Sequence, residues 1–449
     1  MKKNVLFAFV LAALLALPAV GLAQTEFTLG GYLKLEAYWD SAALPKNINT
    51  PPRRNNDPNA THGRFNATAQ SSRFNFTIKG PTLWGAKVTG FMEVDFDEQG
   101  DQRQSASNSY RPRLRHAFFR LNWPETELLF GQYWGYFSEF YPELIQDGPF
   151  QGHGVATQRL AQVRVTQTFG LGQGKMTLSA LVGKPTDTND SGNVPYPPSA
   201  ATGPLEGQTS ETPQIQAKIQ WEGDLWGKAG FYGAPRGFVA QVAGAWQRSR
   251  YRAGDFSVVA VNGGSTFATG IIRQPNQQYL NNWVVQGTLF IPVIPTTTKS
   301  LAGTSALTVQ AYVGEGLDFI GNATGVNSQF RFQGIDAAGN LLFDRRLTKT
   351  WGGYVQANYY FTNQWFMNVA AGLGCNYDIN RLGGSNPDAF LVDPVHTWWE
   401  VSADLYYRPI TALKFGLQYT YTRADYYQTI GTTNMGEAHS VRFGSWFFF

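Results

Sequence analysis

Between residues 27 and 40 the side chains switch chemistry at every step. Phe27, Leu29, Gly31, Leu33, Leu35, Ala37 and Trp39 fall on one face, and Thr28, Gly30, Tyr32, Lys34, Glu36, Tyr38 and Asp40 on the other. A period of two belongs to an extended strand with one apolar and one wettable face. The alternation returns at Ala86, Val88, Gly90, Met92, Val94 and Phe96 against Lys87, Thr89, Phe91, Glu93, Asp95 and Asp97. It returns again at Ile215, Ala217, Ile219 and Trp221 against Gln214, Gln216, Lys218 and Gln220. Strands of a soluble sandwich usually run about five or six residues. These run roughly nine to thirteen, and a tilted strand crossing a bilayer needs about nine to eleven. The length selects a transmembrane barrel with lipid outside and water inside.

The N-terminus supplies the route to such a membrane. Met1-Lys2-Lys3-Asn4 is followed by the apolar run Val5 to Leu17, Pro18 and Gly21-Leu22-Ala23. That order reads as a secretory signal peptide at residues 1–23, cut after Ala23 so that a single barrel domain spans 24–449. No later stretch reaches the roughly 18 apolar residues of a spanning helix, and the mean hydropathy is -0.27. Aromatic residues at 15% and 48 glycines suit many strands and turns. The single Cys375 excludes an intramolecular disulfide framework. Without Lys2 and Lys3 the 36 basic residues become 34 against 32 acidic ones, a formal +2. With no basic tail and an exported chain, nucleic acid is excluded as a partner.

Further candidate strands lie at Gln70 to Lys79, Pro112 to Trp123, Glu127 to Trp134, Gln158 to Phe169, Lys175 to Gly183, Gly237 to Gln247 and Asn282 to Ile291. The rest are Ser305 to Glu315, Trp351 to Phe361, Trp365 to Gly374, Thr397 to Arg408, Pro409 to Thr422 and His439 to Phe449. The total is about sixteen, an even number that returns both termini to one side. Connections alternate between tight turns, such as Trp123 to Glu127, and long Gly/Pro/Ser/Asn-rich loops, such as Lys184 to Thr212. Short periplasmic turns and long extracellular loops have this rhythm. Glu222 to Arg236 and Pro292 to Thr304 break it and are read as longer periplasmic turns. The expected fold is all-β: an antiparallel transmembrane barrel of about 16 strands, without room for a plug domain.

Val441, Phe443, Ser445, Phe447 and Phe449 alternate up to a terminal Phe, and here the chain resembles the Gram-negative outer-membrane porins. In that family a terminal aromatic on the last strand is the signal read by the barrel-assembly machinery, which would assign that role to Phe443, Phe447 and Phe449. Ser72-Arg73-Phe74-Asn75-Phe76-Thr77-Ile78-Lys79-Gly80-Pro81 and Leu129-Phe130-Gly131-Gln132-Tyr133-Trp134 resemble the general trimeric porins. Trp283-Val284-Val285-Gln286-Gly287-Thr288-Leu289-Phe290-Ile291-Pro292 resembles the DcaP-like branch, whose members favour small anionic acids, although the coiled-coil N-terminus of that branch is missing. The resemblance implies a homotrimer in contact with outer-membrane lipid and lipopolysaccharide. It also implies a third external loop folded into the lumen, at Tyr136 to Thr157 with Glu139, Glu143 and Asp147.

Such a loop sets acids against bases across a narrow opening. Counting about 3.3 Å per residue from the tight turns puts Lys34, Arg73, Arg164 and Arg442 near mid-depth on polar faces, with Glu36 and Glu93 at the same level. Lys87, Lys218, Lys414 and Arg120 fall lower, and Glu400 and Asp404 lie on the inner face of the fourteenth strand. Arg113 and Arg115 share parity with Ala117, Phe119 and Leu121, and an Arg facing lipid at mid-depth costs roughly 2–4 kcal/mol. Either a β-bulge near His116 turns them inward or a subunit contact shelters them.

Signals for chemistry are poor. His62, His116, His153, His396 and His439 are scattered, and Gly170-Leu171-Gly172-Gln173-Gly174-Lys175 lacks the spacing of a phosphate loop and reads as a hairpin turn. Asp95 to Asp101 opens like a calcium loop but has no distal Glu. No catalytic residue, metal or cofactor is expected. The reading is a water-filled outer-membrane channel for passive diffusion of small polar solutes and ions, with a modest anion preference. The alternatives are a substrate-specific channel for small organic acids or phosphate-like anions, and a barrel-anchored enzyme or adhesin.

Overall fold

The computed structural model describes residues 25–44, 48–97, 110–186, 210–251, 253–262, 265–321, 328–378, 395–430 and 432–449. The signal peptide and most of the calcium-like run lie outside the described residues. The barrel strands are β1 (Glu26–Asp40), β2 in two segments (Arg64–Thr68 and Arg73–Leu83), β3 (Ala86–Asp95), β4 (Arg113–Asn122) and β5 (Thr126–Trp134). Next come β6 (Arg159–Leu171), β7 (Gly174–Gly183), β8 (Gln214–Gly223), β9 (Phe238–Tyr251), β10 (Gln278–Ile294) and β11 (Ser305–Glu315). The circuit ends with β12 (Lys349–Tyr360), β13 (Trp365–Asn376), β14 (Val395–Ile410), β15 (Leu413–Ile430) and β16 (Thr433–Phe448). Each strand pairs antiparallel with the next, and β1 pairs with β16 from Tyr32↔Phe448 to Asp40↔Ser440. This seam closes a 16-stranded barrel, whose own sheet has no free edge among the described residues.

The alternation sorts the two faces as a bilayer demands. On β1, Leu33, Leu35 and Trp39 are exposed, while Lys34, Glu36, Tyr38 and Asp40 are buried inside. On β16, Val441, Phe443 and Phe447 point out, while Ser440 and Arg442 point in. The main-chain N–H groups of Gly31 and Phe449 each donate to the other's carbonyl, at 3.1 and 3.2 Å, which extends the seam to the last residue.

The wall is uneven in height. Strands β3 to β5 have 10, 10 and 9 residues, whereas β14 to β16 have 16, 18 and 16. Two stretches expected as plain extracellular loops carry further strands. The connection after β9 holds Gly254–Asn262 and Ser265–Gln274, and the one after β11 holds Ser328–Ile335 and Leu341–Leu347. They join through a short parallel pairing at Ile272↔Leu341 into one four-stranded sheet.

A second departure lies at the other end. The connection between β8 and β9 is not a slack turn but a ribbon, Ala229–Phe231 paired with Ala234–Arg236, folded back into the barrel. The apolar core sits where the third loop meets the inner wall: Tyr136, Phe137, Ala156, Leu160, Leu181, Ala243, Val284, Tyr312 and Phe319 form one buried cluster.

Candidate functional site

The loop joining β5 to β6 runs through the lumen rather than over the rim, because the inner wall satisfies its backbone. Gln216 Oε1 accepts from the Tyr136 amide at 3.0 Å, Gln356 Oε1 from the Glu143 amide at 2.7 Å and Gln418 Oε1 from the Ile145 amide at 2.8 Å. Asn368 donates to the Glu143 carbonyl at 2.7 Å, and Tyr354 to the Phe140 carbonyl at 2.6 Å. A buried loop leaves main-chain polar groups that must find partners, and a ladder of wall carboxamides is one way to supply them. At the far leg, His153 stacks on Trp398 with ring centroids 3.7 Å apart, and its Nε2 lies 3.1 Å from Glu400.

A glycine lets the leg lie flat. A Cβ on Gly372 would fall 2.5 Å from the Phe150 ring.

The loop presses against the wall from β8 round to β15, and the passage that remains lies between it and β1 to β6. This opening is a polar cavity of about 810 Å³. Its wall side carries Lys34, Arg73, Arg113, Arg115 and Arg159, and its loop side Glu139, Tyr141, Glu143 and Asp147.

The arginines face water because of a defect in the sheet. Glu93 pairs with His116, but Val94 pairs with Leu114, so Arg115 is an extra residue, a β-bulge. Leu114 takes the outward position, and Arg113 and Arg115 both turn into the lumen. Arg113 binds Asp95 through two hydrogen bonds of 2.8 and 2.7 Å, and Arg115 bridges Glu93 and Asp95 at 2.6 and 2.7 Å. Arg73 lies 3.8 Å from Asp147, and the Lys34 ammonium lies 3.6 Å from it while donating to the Ile145 carbonyl at 2.6 Å. Arg159 stacks over Trp134 at 4.8 Å, and its Nη1 is buried without a hydrogen-bond partner. No carboxylate lies within salt-bridge distance of Arg159 among the described residues.

The other sequence candidates are placed differently. Glu36 and Arg442 are both fully buried, paired at 2.7 Å behind Lys34, and do not line the cavity. Arg164 lies at the loop's root, its guanidinium over the Tyr136 ring at 4.5 Å and donating to the Trp134 carbonyl. Glu93 stands behind Arg115. Glu139 is held by Lys218 at 2.6 Å, and Glu143 by Lys414 at 3.4 Å.

Arg159 was not singled out from sequence, although it opens β6 on the parity of Ala161 and Val163. Trp134, its stacking partner, was within reach as the residue that ends β5. Counting along the strand sets Lys414 lower than the mid-depth groups, and it lines the opening because the loop descends to meet it.

Comparison with known proteins agrees with this architecture. Residues 10–272 match the family model described as Gram-negative porin. The structure is similar to the outer-membrane channel DcaP of Acinetobacter baumannii, with a TM-score of 0.62 at 17% identity over 96% of this chain and 99% of that one. It is also similar to OmpT of Vibrio cholerae, with a TM-score of 0.50 at 10% identity over 96% and 100% of the two chains. The anion-selective porin from Comamonas acidovorans has a TM-score of 0.50 at 10% identity over 95% and 100%. Comparison with curated proteins gives no significant match. The family match spans more than half of the chain, and with the closed barrel and its inward loop it leads to one conclusion: this chain belongs to the Gram-negative porin family and is an outer-membrane channel, not an enzyme.

Proposed function

We propose that the channel passes small polar solutes with a modest preference for anions, and that the arginine wall sets this preference. The observation that carries the reading is Arg159. Its three arginine neighbours are tied to carboxylates, whereas Arg159 faces the same cavity with a buried nitrogen that has no partner among the described residues. The lining holds six basic groups, Lys34, Arg73, Arg113, Arg115, Arg159 and Lys414, and four acidic ones, Asp97, Glu139, Glu143 and Asp147. Glu93 and Asp95 stand behind the guanidinium groups they bind, so a passing solute meets the positive side of each pair first. A carboxylate or phosphate oxygen is the natural complement of such a fork. Lipid outside, an assembly signal at Phe443, Phe447 and Phe449, a cleaved leader at residues 1–23 and a homotrimer complete the reading.

The test is the zero-current potential of single channels in a salt gradient. Arg159→Ala shifts it toward cation preference, more strongly at low ionic strength because salt screens the lost charge. A potential equal to that of the parent channel at every salt concentration would sink the proposal. Arg164→Ala serves as the control, since that guanidinium lies off the opening.

A further inference from the structure

We infer that the periplasmic ribbon between β8 and β9 is a second constriction, which fixes the pore's size limit from below and ties down the third loop. The ribbon is too well anchored to be a slack turn. Tyr232 and Gly233 form its tip, with φ values of 49° and 79° that reverse the chain in two residues. Lys228 and Thr296 exchange main-chain hydrogen bonds of 2.8 and 2.6 Å, which pins its base to the next periplasmic turn. Asn358 of β12 donates to the Gly230 carbonyl at 2.7 Å, and the Gly233 amide donates to the Tyr360 hydroxyl at 3.2 Å. Gly230 is required at its place, because a Cβ there would sit 2.2 Å from the Tyr360 ring.

The tip reaches the loop. Tyr232 donates its hydroxyl to the Tyr141 carbonyl at 2.7 Å. Phe231 packs on Phe140 with ring centroids 5.4 Å apart, and Arg236, held by Glu222 at 2.9 Å, covers both rings at 4.6 and 4.7 Å. Phe231 and Tyr232 line the same cavity as Arg73 and Asp147. The Tyr232 side chain is nonetheless half exposed, so its ring borders the passage instead of filling a core. A solute that clears the charged gap next meets this ring. Charge selection therefore belongs to the arginine wall, and the size limit is shared with an uncharged phenol.

Neutral sugars of graded size, followed by vesicle swelling, separate the two effects, because they do not respond to the arginines. Tyr232→Ala raises single-channel conductance roughly twofold and admits larger sugars, while the zero-current potential moves little. Tyr232→Trp moves conductance and size limit the opposite way, which guards against a gain caused by a loosened fold. Tyr232→Phe keeps the ring but loses the tether, so mean conductance holds while open-channel noise rises. An unchanged size limit in both the Ala and the Trp variants overturns the second constriction, and parental noise in the Phe variant overturns the tether.

Discussion

At the scale of single residues, the channel depends on a few positions where the side chain is set by its opposite number across the lumen. Gly372 is the clearest. It stands on the inner face of β13, directly under Phe150, and the loop can lie against the wall there only because the position has no Cβ. Gly372→Leu would force Phe150 and the far leg of the loop into the opening, and overpacking of this kind costs about 1–3 kcal/mol. The expected result is a folded barrel with lower conductance and a reduced thermal midpoint, checked by planar-bilayer recording and by heat-induced mobility shift. Gly372→Ala is the milder form, with a small drop in both. A Leu variant that conducts like the parent would mean that the loop does not rest on this glycine.

At the scale of elements, the third loop is held by the inner wall and also by a turn beyond the end of a barrel strand. The short turn Leu317–Ile320 follows β11, and its Ile320 carbonyl accepts from the Thr157 amide at 2.8 Å. Burial pushes the Asp318 carboxyl of this turn up to about 7. Its edge is partly exposed, so solvent moderates the effect. Because the folded form holds the proton more tightly than the unfolded one, the contribution to stability is complete below the ordinary carboxylate range. It is lost as the pH rises through about 7. Protection of the Gly321 and Thr157 amides, taken relative to the intrinsic base-catalysed exchange rate at each pH, should thus be weaker at pH 8 than at pH 5, and Asp318→Asn should abolish the difference. Equal protection at both pH values in the parent would refute the coupling.

The same scale explains what the sequence discloses. The sixteen strands are legible because each is half buried, so period two is enforced twice, by lipid outside and by water or the loop inside. The bulge that re-aims Arg113 and Arg115 is legible in part: their parity shows that something must keep two charges out of lipid, but from sequence a subunit contact serves as well as a bulge. The inward ribbon at 229–236 is not legible, because its evidence is a contact between Tyr232 and Tyr141, ninety-one residues apart. Arg159 is hidden for a similar reason. It carries the parity of an outward residue at the first position of a strand, and only the fold sets it beside Trp134.

At the scale of the whole molecule, the uneven wall bears on assembly. Ten residues of strand rise about 33 Å, and at a tilt near 45° they stand about 23 Å high, which barely spans the roughly 25 Å apolar band of a barrel. Strands β3 to β5 therefore end at the membrane surface, as do β7 and β8, while β14 to β16 rise well above it. The outer face from β1 to β5 is strongly apolar. It bears Phe27, Leu29, Leu33, Leu35, Met92, Leu114 and Phe119, all exposed in one chain, with Phe119 stacked on Phe130 at 5.1 Å. A closed ring of three copies sheltering these walls from the extracellular side would leave each tall wall to face lipid. Native mass spectrometry in mild detergent should then report three identical chains, each lacking residues 1–23. Replacing Leu33 and Leu35 together with Asn should shift the population toward single barrels that still conduct, since neither side chain reaches the lumen. A parent protein that flies only as a monomer would refute the trimer, and a subunit mass that includes the leader would refute the cleavage independently.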